Sequence, residues 1–119
     1  MTETKKPRII AVAGKGGVGK TSIAATIVKL LVENFKDKKI LAIDADPAVG
    51  LSTALGIETK KTIDDVRKEA IAASNEGKNA VVEVLGNAEY SIEEAIVNQN
   101  GFSFMAIGRP EASGCYCKI

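Results

Sequence analysis

The residues with the clearest chemical signature form a glycine-rich stretch near the start of the chain, Gly14-Lys15-Gly16-Gly17-Val18-Gly19-Lys20-Thr21. The stretch fits the pattern G-x-x-x-x-G-K-[ST], with an apolar run before it and a helical pattern after it. Glycines adopt positive φ without strain, so successive backbone N–H groups can point inward and form a nest for an anion. The start of a helix adds further free N–H groups and a positive dipole end. The sequence therefore predicts a phosphate-binding loop.

The side chains of this loop favour a nucleoside triphosphate over a simple anion. The Lys20 ammonium would reach the outer phosphates, and the Thr21 hydroxyl would ligate Mg²⁺. An ordinary glycine-rich turn would explain the glycines but not the Lys20-Thr21 pair. The predicted residues for binding ATP or ADP are Gly14, Gly16, Gly17, Val18, Gly19, Lys20, Thr21 and Ser22.

Two acidic residues follow the second predicted strand, residues 40–43. Asp44 and Asp46 precede Pro47 and should lie at the carboxyl end of that strand. Ligands bind at this end of the strands in open α/β sheets, which makes both residues candidates for the site. The alternative is that they solvate a turn and cap the helix expected near residues 51–55.

The other stretch suited to chemistry is Cys115-Tyr116-Cys117, close to the last residue. A disulfide between residues i and i+2 would be strained. Two thiolates from each of two chains would instead supply a tetrahedral S₄ set for Zn²⁺, Cu⁺ or iron–sulfur chemistry, and a square-planar set also accepts Ni²⁺. The alternative is a pair of partly buried small apolar side chains.

Hydrophobic patterning indicates the elements that would position these residues. Continuous apolar runs predict buried strands at 8–13, 40–43 and 102–107. Helices are expected from Lys20 to about Phe35, after the capping-box variant at Thr62, and from the Ser91 box to about Asn98. The apolar stripe of the first helix is predicted to be Ile23, Ile27, Leu30 and Leu31.

The predicted fold class is α/β: a P-loop NTPase with a parallel sheet and helices on both faces. Each strand–helix–strand unit takes about 30 residues or more, so 119 residues hold about three strands. Residues 1–119 are therefore expected to form a single incomplete P-loop nucleotide-binding domain, the N-terminal portion of a larger doubly wound domain.

The composition limits which cellular compartment and which classes of binding partner are expected. The net charge of +1 is spread among interspersed acids and bases, which gives no case for nucleic acid or an anionic membrane as partner. No apolar run approaches 18 residues, and the polar start lacks the apolar core of a signal peptide. We therefore expect a cytoplasmic protein whose two cysteines are reduced thiols or metal ligands.

Lys15 gives the loop a second lysine, and the resulting Lys-Gly-Gly-Val-Gly-Lys-Thr resembles the deviant Walker A motif. That motif belongs to the family of the nitrogenase iron protein, the arsenite-pump ATPase and the partition and septum-positioning ATPases. The resemblance implies an ATP-dependent homodimer in which Lys15 reaches the nucleotide of the partner subunit. It also implies catalytic roles for Lys15, Lys20 and Asp46, with Asp46 positioning the attacking water and Asp44 near the magnesium shell. The alternative for Lys15 is a solvated loop lysine.

Residues 108–115 resemble the nitrogenase iron protein loop whose cysteine ligates an iron–sulfur cluster. The C-x-C pair is instead similar to that of the carbon monoxide dehydrogenase nickel-insertion ATPases, in which each subunit contributes one pair to an interfacial metal ion. The resemblance thus implies a nickel-insertion factor with Ni²⁺ or Zn²⁺ on Cys115 and Cys117 and a client such as carbon monoxide dehydrogenase.

Two alternatives to nickel insertion stay open. One is an iron–sulfur reductase with a 4Fe–4S cluster, and the other is a partition- or septum-type scaffold or a non-catalytic nucleotide-binding fragment. The resemblance reaches only the first half of a family member, and the Walker B acid and second switch would lie beyond Ile119. Weak or no ATP hydrolysis by the 119-residue chain is therefore expected.

Overall fold

The computed structural model describes residues 5–46, 50–77, 79, 82, 83 and 86–108. Among the described helices, none is long and apolar enough to cross a membrane. The described elements are, in chain order, α1 (Lys20–Asn34), β1 (Leu41–Asp44), α2 (Gly50–Leu55), α3 (Ile63–Glu76), α4 (Ala88–Ala95), β2 (Ile96–Gln99) and β3 (Phe102–Ala106).

The three described strands form one mixed sheet in the order β1-β3-β2. β1 and β3 are parallel, with Asp44 opposite Ala106, whereas β2 and β3 are antiparallel. The α/β class is confirmed, but the prediction of a purely parallel sheet is wrong because β2 and β3 form a hairpin. The turn of that hairpin contains Gly101, whose φ of +92° suits glycine.

Residues 8–13 do not form the predicted first strand. They lie outside the described sheet, and the side chains of Ile9 and Ile10 are 88% and 60% exposed. An apolar, β-branched run becomes a strand only when a neighbouring strand pairs with its backbone groups. No strand in the described part of the chain pairs with this run, so the composition of residues 8–13 is not sufficient to make them a strand.

The helix predicted from Ser91 to Asn98 is displaced by three residues towards the start of the chain. α4 begins at Ala88, so the Ser91 box lies inside the helix, and the chain changes at Ile96 to a strand paired with β3. Asn100 and Gly101, which follow the predicted helix, form the turn of the hairpin. A Cβ on Gly101 would lie 2.6 Å from Val32 Cγ1, which shows how closely this turn packs against α1.

The core lies between one face of the sheet and helices α1 and α2. Its buried members are Val28, Ala42, Leu51, Ile57, Phe104 and Ala106. The apolar stripe predicted for α1 is not the face that packs on the core, because Ile23 and Leu30 are about half exposed. The helix packs instead through a neighbouring face formed by Ala24, Ala25, Val28 and Val32. β1 is also not buried on both faces, because Leu41 and Ile43 are 49% and 50% exposed.

The capping box at the start of α3 is confirmed. The amide of Asp65 donates to Thr62 Oγ1 at 3.2 Å, and the amide of Thr62 donates to Asp65 Oδ2 at 2.9 Å. Lys61, just before the box, pairs with Glu69 and Glu94, both at 2.9 Å, and thereby links α3 to α4. The hydrogen bond from Lys61 to Glu94 is the main cause of a raised pKa for Lys61.

Asp64, in the first turn of α3, is a buried carboxylate with 2% of its surface exposed. It pairs with Arg67 at 2.9 Å and with Lys68 at 3.2 Å, and its backbone amide donates to the Ile107 carbonyl at 2.8 Å. Burial acts to raise the pKa of Asp64, but the hydrogen bonds and charges of Arg67 and Lys68 outweigh it and lower that pKa.

Because the pKa of Asp64 is lower in the folded than in the unfolded chain, its stabilising contribution is present above about pH 4 and is lost as pH falls through the folded pKa. We expect Asp64→Asn to lower the free energy of unfolding by about 1 kcal/mol at pH 7 and to flatten its dependence on pH below about 4. Urea unfolding between pH 2 and pH 7 measures both effects.

Asp37→Asn is the matched control, because Asp37 is exposed and pairs only with its neighbour Lys38 among the described ion pairs. An Asp64→Asn protein that loses stability at acid pH as steeply as the wild type would contradict the role of this carboxylate.

Candidate functional site

The glycine loop lies where the sequence predicts it, and helix α1 begins directly after it at Lys20. Gly17 and Gly19 have φ of +79° and +94°, the left-handed conformation that glycine adopts without strain. Gly19 is the N-cap of α1, so the first turn has no side-chain cap, and it also contains no acidic residue. The N–H groups and positive dipole end of a 15-residue helix are therefore available to an anion.

Lys20 connects the loop to the acidic segment after β1. Its Nζ donates to the Gly14 carbonyl at 2.5 Å, which bends the side chain back over the loop. The same Nζ lies 4.0 Å from Asp46 Oδ2, and the two side chains are 27% and 46% exposed. The structure thus brings together three predicted site residues that are separated along the chain.

Asp44 is the buried member of the acidic pair, with 5% of its surface exposed. Its Oδ1 accepts a hydrogen bond from the Asp46 amide at 3.1 Å, and its Oδ2 accepts one from the Leu51 amide at 3.0 Å. The interpretation that an acid of this pair caps the following helix is confirmed for Asp44. Its place near the magnesium shell stays a prediction.

Thr21 contacts the start of α2. A Cβ on Gly50 would lie 3.5 Å from Thr21 Oγ1 and 3.6 Å from its methyl carbon, so the Thr21 side chain lies beside Gly50. Gly50 and Leu51 are not among the residues predicted for the site from the sequence. The only local signal for them was the spacing between an acid at a strand end and the next helix, and that spacing does not show which amides the acid contacts.

The other predicted residues are less well connected. Lys15, Val18 and Ser22 are exposed, and their predicted roles stay predictions. Cys115 and Cys117 lie outside the described residues. Among the residues that are described, no group of three or more His, Cys, Asp or Glu side chains is arranged to hold a metal ion.

The left-handed glycines, the uncapped helix and the returning lysine together define the phosphate loop of a P-loop protein. Residues 7–112 match the anion-transporting ATPase family, and because this match covers most of the chain, the protein belongs to that family.

Several relatives are also similar. "Uncharacterized ATP-binding protein MJ0685" of Methanocaldococcus jannaschii is 39% identical over 112 residues, which is 93% of this chain and 44% of the relative. The carbon monoxide dehydrogenase accessory protein CooC of Rhodospirillum rubrum is 40% identical over 52 residues, 44% of this chain and 19% of CooC.

ATPase ARSA2 of Chlamydomonas reinhardtii is 37% identical over 62 residues, 52% of this chain and 17% of that protein. No solved structure matches the chain significantly. The chain thus spans less than half the length of each of these three relatives.

Two of the glycines before α1, Gly16 and Gly19, offer a test of the loop conformation. Gly19→Ala places a Cβ on a residue with φ of +94°, and we expect it to lower the free energy of unfolding by about 1–2 kcal/mol. Gly16→Ala is the control, because Gly16 has no left-handed φ and no atom within 4 Å of its added Cβ. Thermal or urea unfolding of both variants measures the difference, and equal losses would contradict the described loop.

Proposed function

We propose that the chain binds Mg²⁺–ATP at the loop Gly14–Thr21. The observation that carries this proposal is the position of Lys20 on the first turn of an uncapped helix, within reach of both the loop and Asp46. A triphosphate in the nest would accept hydrogen bonds from the loop amides and the first turn of α1. Lys20 would then exchange the Gly14 carbonyl for the oxygens of the outer phosphates.

The residues present also fit a magnesium ion. Thr21 is exposed at the start of α1, and its hydroxyl and the carboxylate of Asp46 are oxygen ligands of the kind that Mg²⁺ prefers. When bound, Mg²⁺ would neutralise phosphate charge at this point. Asp46 Oδ2 lies 4.0 Å from Lys20 Nζ, so with Lys20 on the outer phosphates its carboxylate would hold a water molecule next to them by hydrogen bonds.

Family membership supports ATP as the nucleotide, and the resemblance of the lysine-containing loop supports a homodimer. Lys15 is exposed on the loop, as a residue that reaches a second subunit must be. The proposal therefore includes a nucleotide-bound dimer in which Lys15 contacts the partner's phosphates.

Replacement of Lys20 tests nucleotide binding. We expect Lys20→Ala to weaken binding of a non-hydrolysable ATP analogue with Mg²⁺ by about 10- to 100-fold, because charge-assisted hydrogen bonds to phosphate are lost. Isothermal titration calorimetry on the 119-residue chain measures the dissociation constant. Lys29→Ala is the matched control, since Lys29 is an exposed lysine of the same helix. Unchanged affinity in Lys20→Ala would contradict the proposed site.

We further propose that nucleotide binding serves metal-centre maturation of the nickel-insertion type. The specific observation that favours this function is the C-x-C pair, Cys115 and Cys117, and the partial similarity to CooC is consistent with it. The 52-residue match to CooC is too short to include both Gly14 and Cys115. The metal site, with Ni²⁺ or Zn²⁺ as cargo, therefore rests on the cysteine spacing, and the client would be a metalloenzyme such as carbon monoxide dehydrogenase.

Metal content tests this second proposal. With four thiolates per dimer, we expect about one metal ion per two chains, lost when Cys115→Ser and Cys117→Ser are combined and retained in Tyr116→Phe. Elemental analysis alongside native mass spectrometry, with and without nucleotide, gives the stoichiometry. Iron with inorganic sulfide and a brown colour would favour an iron–sulfur reductase instead. A metal-free dimer would favour a scaffold.

A further inference from the structure

The carboxylate of Asp44 is buried beside the phosphate loop, yet it contacts backbone rather than a cation in the described hydrogen bonds. A buried carboxylate is costly unless its oxygens are hydrogen-bonded. Each oxygen of Asp44 accepts one amide N–H, from Asp46 at 3.1 Å and from Leu51 at 3.0 Å. Charge-assisted bonds of this kind are stronger than neutral ones, so they hold the two amides firmly.

The two donors lie on either side of the connection between β1 and α2. One belongs to Asp46, two residues after Asp44, and the other to Leu51 in the first turn of α2. A single side chain therefore fixes both ends of this connection to the end of β1. β1 is itself fixed, because the carbonyl of Asp44 accepts the Ile107 amide at 2.9 Å.

The segments that Asp44 holds are those that face the phosphate loop. The Asp46 amide is held while the Asp46 carboxylate lies 4.0 Å from Lys20 Nζ. The residue before Leu51 is Gly50, which lies beside the Thr21 side chain: a Cβ added there would be 3.5 Å from Thr21 Oγ1. Displacement of the Asp44 carboxylate would release both contacts.

We propose that Asp44 is a positioning residue for the phosphate site: its carboxylate orients the backbone at Asp46 and so fixes where the Asp46 carboxylate lies relative to Lys20. This inference rests on the proposed nucleotide site. Asp44 acts through Asp46 and need not touch the nucleotide or the magnesium ion. Asn at position 44 keeps one acceptor oxygen but turns an NH₂ group towards the other amide, so one of the two hydrogen bonds is lost.

A double-mutant cycle separates positioning from direct contact. The dissociation constant of a non-hydrolysable ATP analogue with Mg²⁺ is measured on the 119-residue chain for the wild type, Asp44→Asn, Asp46→Asn and the double variant. We expect Asp44→Asn to weaken binding about tenfold when Asp46 is present and less than about threefold when residue 46 is Asn, because residues that act as a unit are not additive. The control is Asp37→Asn, the same substitution at an exposed aspartate, and it should leave affinity unchanged.

Amide hydrogen exchange, followed by NMR without nucleotide, tests the hydrogen bonds independently of binding. The amides of Asp46 and Leu51 should be protected in the wild type, and at least one should exchange about tenfold or more faster in Asp44→Asn while the amides of β3 keep their rates. If these two amides are unprotected in the wild type, the inference is wrong.

The outcomes distinguish this inference from the function on which it rests. Equal effects of Asp44→Asn in both backgrounds would indicate direct contact with the magnesium ion and overturn positioning, while the nucleotide site stands. No analogue binding by a folded wild type would overturn the proposed function itself, and with it the role of Asp44 in that site. Non-additive binding together with faster exchange of the Asp46 or Leu51 amide supports positioning.

Discussion

The parallel pairing of β1 with β3 is the interaction on which the described structure depends. It places Ala42 opposite Phe104 on the face covered by α1 and α2, and Phe104 is fully buried there. Parallel strands need a long crossover, so this contact joins parts of the chain that are far apart in sequence. The strands also end at the same edge, which brings the Asp44 carbonyl to the Ile107 amide. The residues that follow each strand can therefore build one site.

Two buried carboxylates flank that edge, and they are satisfied by different means. Asp44 is held by backbone amides, whereas Asp64 pairs with the side chains of Arg67 and Lys68. Amide donors fix the position of a carboxylate and, through it, the path of the backbone. Burial acts to raise the pKa of Asp64, but the cationic side chains of Arg67 and Lys68 outweigh it and lower that pKa. The backbone amide of Asp64 donates to the Ile107 carbonyl and so ties the start of α3 to the end of β3. The first arrangement suits a geometric role in a binding site, and the second suits stability.

Features encoded by neighbouring residues could be predicted from the sequence, and those that depend on distant pairing could not. The phosphate loop, the start of α1 at Lys20 and the Thr62 capping box all follow from glycines or caps within a few residues. Residues 8–13 have the composition of a strand, but a strand also needs a partner. Asn100-Gly101 is compatible with a helix end and with a hairpin turn. Only the pairing of β2 with β3 decides between the two. The role of Asp44 could be predicted as a cap, but not the amides it would bind.

The present contacts of Lys20 set how the loop can bind an anion. Its ammonium already donates to the Gly14 carbonyl and lies near Asp46, so a triphosphate gains only the difference between the new contacts and these. The attraction between Lys20 and Asp46 is weak, because both side chains are partly exposed and 4.0 Å apart. Replacing these contacts with contacts to phosphate would therefore cost little free energy. The contacts that are given up also limit how much Lys20 alone would contribute to the binding affinity. In the proposed site, the amides of the loop and of the uncapped first turn of α1 would supply much of the affinity, while Lys20 would determine where the outer phosphates lie relative to Asp46.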